Sequence, residues 1–516
     1  MTNLVKSRFF LAFALSLASR VNSFAQVKLP ALFANNMVLE QHSEAAIWGW
    51  AAAGEKISIT GSWNNKTVSV VADVSGKWKA KIQTASAGGP FTLSIAASNY
   101  IQLNNILLGE VWLCSGQSNM DFRMAPSQTT KWLTGVNDFE HEIASADFPH
   151  IRMFTVVQRT SELPETEVDG KWEISNPATV GHFSAVAYYF ARKLQEMMHV
   201  PIGLIHSSWG GTPAEAWTSK ESLEGDDDFK PILDRYNKAK LDYMTAKHVY
   251  DEKLRWWNSR SISEAKDSLL KAPDKPPAIK FHQAPSNLYN AMIAPLVPYT
   301  IKGVIWYQGE SNSSRAYQYR KLFPALIQQW RKDWHTELPF YFVQIAPHFQ
   351  QGPEIREAQF LTMRSVSNTG MAVIVDAGDS LDIHPRNKKV VGDRLAWWAL
   401  AKLYGRNHLS YSGPLYRTFS VRGNSIKILF DFSRGLKSSG SILTGFEIAG
   451  PDRIFHPALA VIRGRAVVVW GENTAKPIAV RMGWAAFPHV NLYNRAGLPA
   501  SPFRTDTWKG ETEGKN

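Results

Sequence analysis

Residues 110–120 of the chain read EVWLCSGQSNM, an apolar run that leads directly into a turn of small and polar residues. The apolar part predicts a buried strand, and the small residues permit a tight turn that lifts the Ser118 hydroxyl to the carboxyl edge of a sheet. Open α/β sheets bind their ligands at that edge. If a helix follows at once, the Ser118 N–H points to the same place and can help to hold an oxyanion. An ordinary turn with Ser118 as a helix N-cap explains these residues equally well.

Five more apolar runs of strand length lie between residues 106 and 405, and helical stretches separate them. These runs are 151–157, 202–206, 304–307, 340–345 and 372–375. One intervening helix is predicted to run from Ser184, a suitable N-cap, to Met198. Alternation of this kind is typical of a parallel sheet covered by helices on both faces. The sequence therefore predicts an α/β domain over 106–405, with a charged insertion at about 221–277 that we interpret as a solvated helical hairpin.

Short strand-like segments occupy the chain on either side of this domain. Residues 56–60 and 67–71 alternate with period two, and so do residues 426–430 and 466–470. We therefore expect an N-terminal β-sandwich over 26–105 and a C-terminal β-domain over 406–516.

Composition excludes several classes of protein. Hydrophobic residues make up 44% of the 516 residues and charged residues 20%, close to globular averages, so intrinsic disorder is not expected. The single cysteine excludes an intramolecular disulfide framework and a cysteine-based zinc site. The net charge is +12, but the basic residues are scattered singly or in short groups, so nucleic acid is not an expected partner. Without a His-x-x-x-His pair or a suitably spaced acidic cluster, we expect no metal and no other cofactor.

The first 25 residues have the pattern of a secretory signal peptide. Lys6 and Arg8 precede the apolar run 9–18, and the small-residue pattern Ser23-Phe24-Ala25 follows, so cleavage is predicted near Ala25. An uncleaved anchor is the alternative, but about ten apolar residues are too few to span a bilayer. We expect no membrane span, and a mature protein that is secreted or periplasmic.

Polar or glycine-rich segments follow three other predicted strands. They are 207–212 (SSWGGT), 308–312 (QGESN) and 376–385 (DAGDSLDIHP). Together with the Ser118 turn they supply a hydroxyl, bare backbone amides, a side-chain amide, and an imidazole with a carboxylate. These groups are the nucleophile, oxyanion donors, base and base-orienting acid that acyl transfer requires.

Four motifs, in this order and spacing, resemble the SGNH hydrolase superfamily in its sialate O-acetylesterase branch. They are Gly116-Gln117-Ser118-Asn119, Gly210-Gly211-Thr212, Gln308-Gly309-Glu310-Ser311 and Asp382-Ile383-His384-Pro385. The resemblance implies a three-layer α/β/α domain with flanking β-domains. It also implies that Ser118 is the nucleophile and His384 the base, and that the Ser118 N–H, a glycine of the Gly210-Gly211 pair and Gln308 form the oxyanion hole. Gln117, Asn119 and Glu310 are expected to support these groups.

The acid that orients His384 is less clearly marked. The superfamily usually places it three residues before the histidine, where this chain has Leu381. Asp382 is our first choice, Asp379 and Asp376 are alternatives, and a dyad supported by a backbone carbonyl is also considered.

Other residues invite competing interpretations. Gly378-Asp379-Ser380-Leu381 spells the motif of a related lipase group and would make Ser380 the nucleophile, but too few strand ends follow it to complete a site. His206 fits a buried structural role better than one in the pocket, and Trp209 and Trp217 are candidates for the walls of the site.

The predicted function is that of a secreted serine esterase that removes acetyl groups from sugar hydroxyls through an acetyl-serine intermediate. Its expected partner is an O-acetylated carbohydrate, either a sialic acid or a plant polysaccharide such as acetylxylan. The alternative from another class is a non-catalytic carbohydrate-binding protein.

Overall fold

The computed structural model describes residues 26–259 and 271–515. The predicted signal peptide, residues 1–25, lies outside this range, and so do residues 260–270 of the predicted insertion. The first part of the chain is rich in strands: β1 (Val38–Glu40), β2 (Glu44–Trp50), β3 (Lys56–Gly61), β4 (Thr67–Val71), β5 (Lys77–Gln83), β6 (Gly88–Ala96) and β7 (Tyr100–Gly116).

Helices and strands alternate in the next part of the chain. They are α1 (Ser118–Asp121), α2 (Phe139–Ala144), β8 (Phe148–Thr155), β9 (Trp172–Ser175), α3 (Ala185–Met198), β10 (Ile202–Ser208), α4 (Lys220–Glu224), α5 (Lys230–Asn258), β11 (Gly303–Tyr307), α6 (Ala316–Trp334), β12 (Phe340–Gln344), α7 (Pro353–Ser365), β13 (Thr369–Val373) and α8 (Lys388–Lys402).

The central sheet has the strand order β13-β12-β11-β7-β10-β8-β9. Neighbouring strands are parallel from β13 to β8, whereas β9 pairs antiparallel with β8. The α/β fold is therefore confirmed, but the sheet is mixed and not wholly parallel. The sequence prediction missed β9, a short edge strand of four residues.

Register explains why the chemically promising segments meet. Strand β7 is central, and its last residue, Gly116, pairs with Ser208 of β10 on one side and with Tyr307 of β11 on the other. The three strands therefore end at the same level of the sheet. The residues that follow them, from Gln117, Trp209 and Gln308 onward, are delivered to one edge.

Successive side chains of β12 pack against different neighbours. Phe340 and Phe342 contact Phe323 of α6, while Tyr341 stacks on Trp112, which in turn contacts Phe190 of α3. This period of two is what a strand buried on both sides requires. The helix predicted after Ser184 is present as α3, and the Ser184 hydroxyl accepts a hydrogen bond from the Ala187 N–H.

Strand β7 is continuous across the predicted boundary at residue 105. Its first half pairs with β6, residues 107–109 pair with β1, and its second half lies in the central sheet. Ile57 and Ile95 of the strand-rich region belong to the same buried cluster as Trp112. The N-terminal strands and the central sheet thus share one apolar core.

The C-terminal part consists of short strands. They are β14 (Leu415–Arg422), β15 (Ser425–Asp431), β16 (Lys437–Ser438), β17 (Phe446–Ala449), β18 (Phe455–Pro457), β19 (Leu459–Arg463), β20 (Ala466–Trp470), β21 (Ala479–Met482), β22 (Leu492–Tyr493) and β23 (Phe503–Arg504). Two four-stranded sheets, β14-β15-β20-β19 and β18-β17-β21-β23, enclose a second buried cluster that includes Ile428, Ile448 and Val467.

The insertion begins with α4 and continues as α5, a single helix of 29 residues. The second arm of the predicted hairpin would involve residues 260–270, which lie outside the described range, so the hairpin stays a prediction. Within residues 26–259 and 271–515, none of the helices has the length and apolar character needed to cross a bilayer.

Candidate active site

Ser118 stands at the junction of β7 and α1. The junction needs a glycine at 116, because its φ is +140° and a Cβ there would lie 2.1 Å from the Tyr307 carbonyl oxygen of the neighbouring strand. Ser118 is the first residue of α1, so its N–H has no acceptor within the helix. The turn thus presents both the Ser118 hydroxyl and the Ser118 backbone N–H at the edge of the sheet.

His384 lies within hydrogen-bond distance of Ser118 although 266 residues separate them. The distance from His384 Nε2 to Ser118 Oγ is 2.9 Å. The Trp132 ring packs against the imidazole, with 4.7 Å between ring centroids. Burial and the nearby Lys388 lower the pKa of His384 to about 4, against the opposing effect of Asp382. The imidazole is therefore neutral at neutral pH and able to accept a proton.

The three candidate acids occupy different positions. Asp382 Oδ1 lies 3.5 Å from His384 Nδ1 and accepts a hydrogen bond of 2.8 Å from the His384 backbone N–H. Asp379 accepts hydrogen bonds from the Leu381 and Asp382 amides and so shapes the loop. Asp376 forms a two-pronged ion pair with Arg394. Of the three, Asp382 has the direct contact with His384.

The glycine turn after β10 lies beside the serine. A Cβ on Gly210 would lie 3.3 Å from Ser118 Cβ, and both Gly210 and Gly211 line the same cavity as Ser118. Burial raises the pKa of the adjacent Asp121 to about 6, while Arg123, Gln158 and the Gly210 amide act against that rise. Asp121, three residues after Ser118, was not singled out from the sequence.

Gln308 is not where the resemblance suggested. Its side chain is fully buried, and its amide nitrogen donates to the Thr212 carbonyl at 3.3 Å and to Asn312 Oδ1 at 2.7 Å. Both amide hydrogens are therefore engaged, and Gln308 does not line the cavity at Ser118. The expectation that Gln308 donates to an oxyanion is wrong in this geometry, because the side chain braces two loops against each other.

Gln117 lines the cavity that Gln308 does not reach. Its Oε1 accepts hydrogen bonds from the Gly309 and Ser311 amides, at 3.4 and 3.3 Å. The carboxamide oxygen is thus occupied, and the amide nitrogen is the group left to act as a donor.

A buried polar chain joins the serine turn to the histidine loop. Asn119 donates to Glu310 Oε1 at 2.6 Å and to the Ile383 carbonyl at 3.0 Å, and it accepts a hydrogen bond from Lys388 Nζ. Burial lowers the pKa of Lys388 to about 7, whereas Glu310 and Asp382 oppose this shift. Burial also raises the pKa of Glu310, against the effects of its own backbone amide, Asn119 and Lys388.

Asn119 and Glu310, both expected to support the catalytic groups, belong to this hydrogen-bonded series, and so does Lys388, which sequence reasoning missed. Lys388 was visible only as part of a short basic group at 386–389. Its position four residues after His384, at the start of a helix, was the available signal.

The cavity around Ser118 and His384 has a volume of about 580 Å³. Trp132 and Trp209 line it, as do Arg123, Gln158 and Ser311. Trp217 is fully buried and donates to Thr212 Oγ1, so it belongs to the core and not to the walls of the site.

His206 has the buried role expected of it. His206 Nε2 forms a hydrogen bond of 2.6 Å with Ser208 Oγ, and burial lowers the pKa of His206 to about 3. In the described parts of the chain, no group of three or more His, Cys, Asp or Glu side chains is placed to hold a metal ion.

The chain is similar in sequence and in fold to several known proteins. The family model of carbohydrate esterases described as sialic acid-specific acetylesterases matches residues 108–249 and 276–399. Sialate O-acetylesterases from mouse and human are 30% and 32% identical to this chain, each over 91% of it and over 92% and 90% of their own lengths. A crystal structure of a carbohydrate acetylesterase from Xanthomonas citri is 35% identical, with a TM-score of 0.78, and covers 93% of this chain and 100% of its own.

The fold, the juxtaposition of Ser118 with His384 and these likenesses define a carboxylic ester hydrolase that acts on O-acetylated carbohydrates. More narrowly, the chain belongs to the sialic acid-specific acetylesterase family of carbohydrate esterases.

Proposed function

We propose that Ser118 is the nucleophile and His384 the general base of this esterase. The observation that carries the proposal is the 2.9 Å contact between Ser118 Oγ and His384 Nε2 in a cavity at the carboxyl edge of the sheet. This distance lies within the range over which a general base takes a proton. The lowered pKa of His384 supports the same role, because the base must be neutral before it can accept the proton.

The reaction proceeds in two stages. His384 Nε2 takes the Ser118 proton while Oγ forms a bond to the acetyl carbonyl carbon, and the resulting imidazolium protonates the sugar oxygen as the ester bond breaks. Water then attacks the acetyl-serine, giving its proton to His384, and acetate leaves as the proton returns to Ser118. No cofactor takes part in this sequence.

The negative charge on the carbonyl oxygen is held by donors around Ser118. We assign this role to the Ser118 N–H and to the turn of Gly210 and Gly211. The third donor is the Gln117 carboxamide, which takes the role that the resemblance assigned to Gln308. Two observations support the assignment: the Ser118 N–H has no acceptor within α1, and Gly210 lies close to Ser118 Cβ. Donors fixed in this way typically contribute about 100- to 1,000-fold each to the rate.

Asp382 is proposed as the acid that orients His384. Its contacts with both Nδ1 and the backbone N–H of His384 support it over Asp379 and Asp376, which are engaged elsewhere.

The domain organisation belongs to the same proposal. We interpret α6, which contacts Phe342 of β12, and α3, which contacts Trp112 beside Tyr341 of β12, as parts of the outer layers of a three-layer α/β/α domain over about 106–405, flanked by β-domains over 26–105 and 406–516. The basic and apolar pattern of residues 1–25 supports export to the periplasm or the cell exterior after cleavage near Ala25.

The substrate is proposed to be an O-acetylated sialic acid, in keeping with the names of the relatives from mouse and human. Acetate release from acetylated sialic acids and from acetylxylan, measured side by side, tests this choice. A higher kcat/KM on acetylxylan would redirect the proposal to plant polysaccharides.

The catalytic assignment is tested with 4-nitrophenyl acetate. The wild-type protein should hydrolyse it, and Ser118→Ala should abolish the activity while leaving the thermal unfolding midpoint unchanged. The matched control is Ser380→Ala, in the loop that carries His384, which should retain activity. Loss of activity in Ser380→Ala alone would transfer the nucleophile to Ser380, and hydrolysis by neither wild type nor variants would favour a carbohydrate-binding protein.

A further inference from the structure

A second cavity, of about 510 Å³, adjoins the one that contains Ser118. Gly211 and Ser311 line both cavities, so the two share a wall. The far side of the second cavity is built by Arg235 and Tyr236 of α5 and by Arg315, which ends the short helix Glu310–Arg315 after β11. Helix α5, the inserted element, therefore contributes directly to the neighbourhood of the ester site.

Positive charge is in excess in this second cavity. Glu215 is buried and shared by two guanidinium groups, at 3.2 Å from Arg235 and 3.0 Å from Arg315. It also accepts a hydrogen bond of 2.8 Å from Asn312. Lys280 lines the same cavity and is exposed. The lining thus holds three cations and one carboxylate, which leaves two positive charges without a counterion among the lining residues.

The guanidinium groups also retain unused donors. In the parts of the chain that the structure describes, Arg235 Nη1, Arg315 Nε and the Tyr236 hydroxyl are buried without a hydrogen-bond partner. Burial and the neighbouring Arg315 lower the pKa of Arg235, whereas Glu215 acts in the opposite direction. Like-charged groups held this close are relieved by an additional anion, and arginine is the side chain best suited to a carboxylate.

The cavity that contains Ser118 is lined by more acidic side chains than arginine and lysine side chains. Asp121 and Glu310 line it together with one arginine, Arg123. An anionic group is therefore disfavoured beside Ser118 and favoured in the adjoining cavity.

We propose that the cavity lined by Arg235, Arg315 and Lys280 is a subsite that binds the carboxylate of an acetylated sugar acid while its acetyl ester lies at Ser118. This inference rests on the proposed function. It deepens that function by naming the feature that separates an acidic substrate from a neutral one such as xylan. Sialic acids and uronic acids both carry such a carboxylate, and the recognition chemistry is the same for both.

The test compares substrates that differ only in charge. Acetylated sialic acid and an acetylated glucuronic acid glycoside are each paired with the corresponding carboxamide, and 4-nitrophenyl acetate serves as a small neutral ester. We expect wild-type kcat/KM to be higher for at least one acid than for its amide. The acid that shows the larger preference identifies which sugar acid the subsite takes.

Arg235→Gln is the informative variant, because Arg235 lies on α5, is partly exposed and is not needed at Ser118. It should lower kcat/KM for the preferred acid about tenfold or more, mainly through KM, as expected for the loss of a charge-assisted hydrogen bond. Activity on the amide and on 4-nitrophenyl acetate should not change. Lys280→Gln should act in the same direction, and Arg235→Lys should restore part of the preference.

Lys238→Gln is the matched control, since Lys238 lies on the same helix and pairs with Asp242 in solvent. It should leave all substrates unaffected. Equal losses on acid, amide and 4-nitrophenyl acetate in Arg235→Gln would overturn the subsite in favour of a structural role. A wild-type enzyme that cleaves acids and amides equally would also overturn it while leaving the esterase intact, whereas failure of the esterase itself appears as no hydrolysis of 4-nitrophenyl acetate.

Discussion

Replacing Asp382 by asparagine separates the charge of this side chain from its hydrogen bonding. Asparagine keeps an oxygen that can accept the bond from the His384 backbone N–H, now 2.8 Å long, so the loop should keep its shape. What disappears is a negative charge 3.5 Å from His384 Nδ1, which would stabilise the imidazolium formed as Ser118 attacks.

The size of the effect follows from the exposure of Asp382. Its side chain is 42% exposed, so the effective dielectric constant lies nearer to that of water than to that of a buried pair. Coulomb's law at this separation, with a dielectric constant of roughly 40 to 80, gives about 1 to 2.5 kcal/mol. That corresponds to a fall in kcat of about 5- to 70-fold. A buried, closely bonded triad aspartate costs about ten-thousandfold when it is replaced in the same way.

The assay is steady-state hydrolysis of 4-nitrophenyl acetate at neutral pH, with thermal unfolding as a check on folding. Asp379→Asn is the control: it also keeps an acceptor for the loop amides but has no contact with His384, and it should retain wild-type kcat. Wild-type kcat in Asp382→Asn, or an equal loss in Asp379→Asn, would refute Asp382 as the orienting acid. A loss above about a thousandfold would refute the assumption that the pair is solvent-screened.

Three further changes test other parts of the site. Gln308→Ala should lower the free energy of unfolding by about 2 to 4 kcal/mol in urea titrations, because it empties a buried position and leaves the acceptors on Thr212 and Asn312 unpaired. Unchanged stability with a large loss of kcat would instead support Gln308 as an oxyanion donor. Activity depends on neutral His384 and is lost as the pH falls through the pKa of that residue. Lys388→Met removes a buried positive charge that lowers this pKa, so the pH at which kcat/KM declines on the acid side should rise above about 4. An acid limb of the pH profile that does not move contradicts this account. Gly210→Ala should reduce kcat about tenfold or more with little change in stability, because the added methyl group would lie 3.3 Å from Ser118 Cβ; an unaffected kcat would mean that the turn has room to yield.

Much of the fold was predictable because burial leaves a periodic trace in the sequence. The six predicted strands of the central sheet appear as β7, β8, β10, β11, β12 and β13. The last of them runs from Thr369 to Val373, not over 372–375, because Phe340 pairs with Thr369 at the start of the ladder with β12. Strand β9 escaped prediction because it is short and lies at an edge, where apolar periodicity is weak. The boundary at 105 was drawn where short strand-like segments give way to alternating strands and helices, but backbone hydrogen bonds continue along β7 on both sides of it.

Local patterns of residues were enough to establish which chemical groups are present and at which strand ends they stand. Gly116, Ser118 and His384 could be chosen because their residue types and positions after strands satisfy local requirements of turn geometry and chemistry. Which of these groups face the cavity depends instead on how distant parts of the chain pack together. Gln308 and Gln117 both follow central strands, yet the hydrogen bonds to Thr212 and Asn312 turn the first into the core, while the second lines the site. Likewise Lys388 and Asn119 are 269 residues apart and meet only because α8 packs behind the serine turn. Such pairings depend on the register and packing of elements that are distant in sequence, so a local pattern of residues does not predict them.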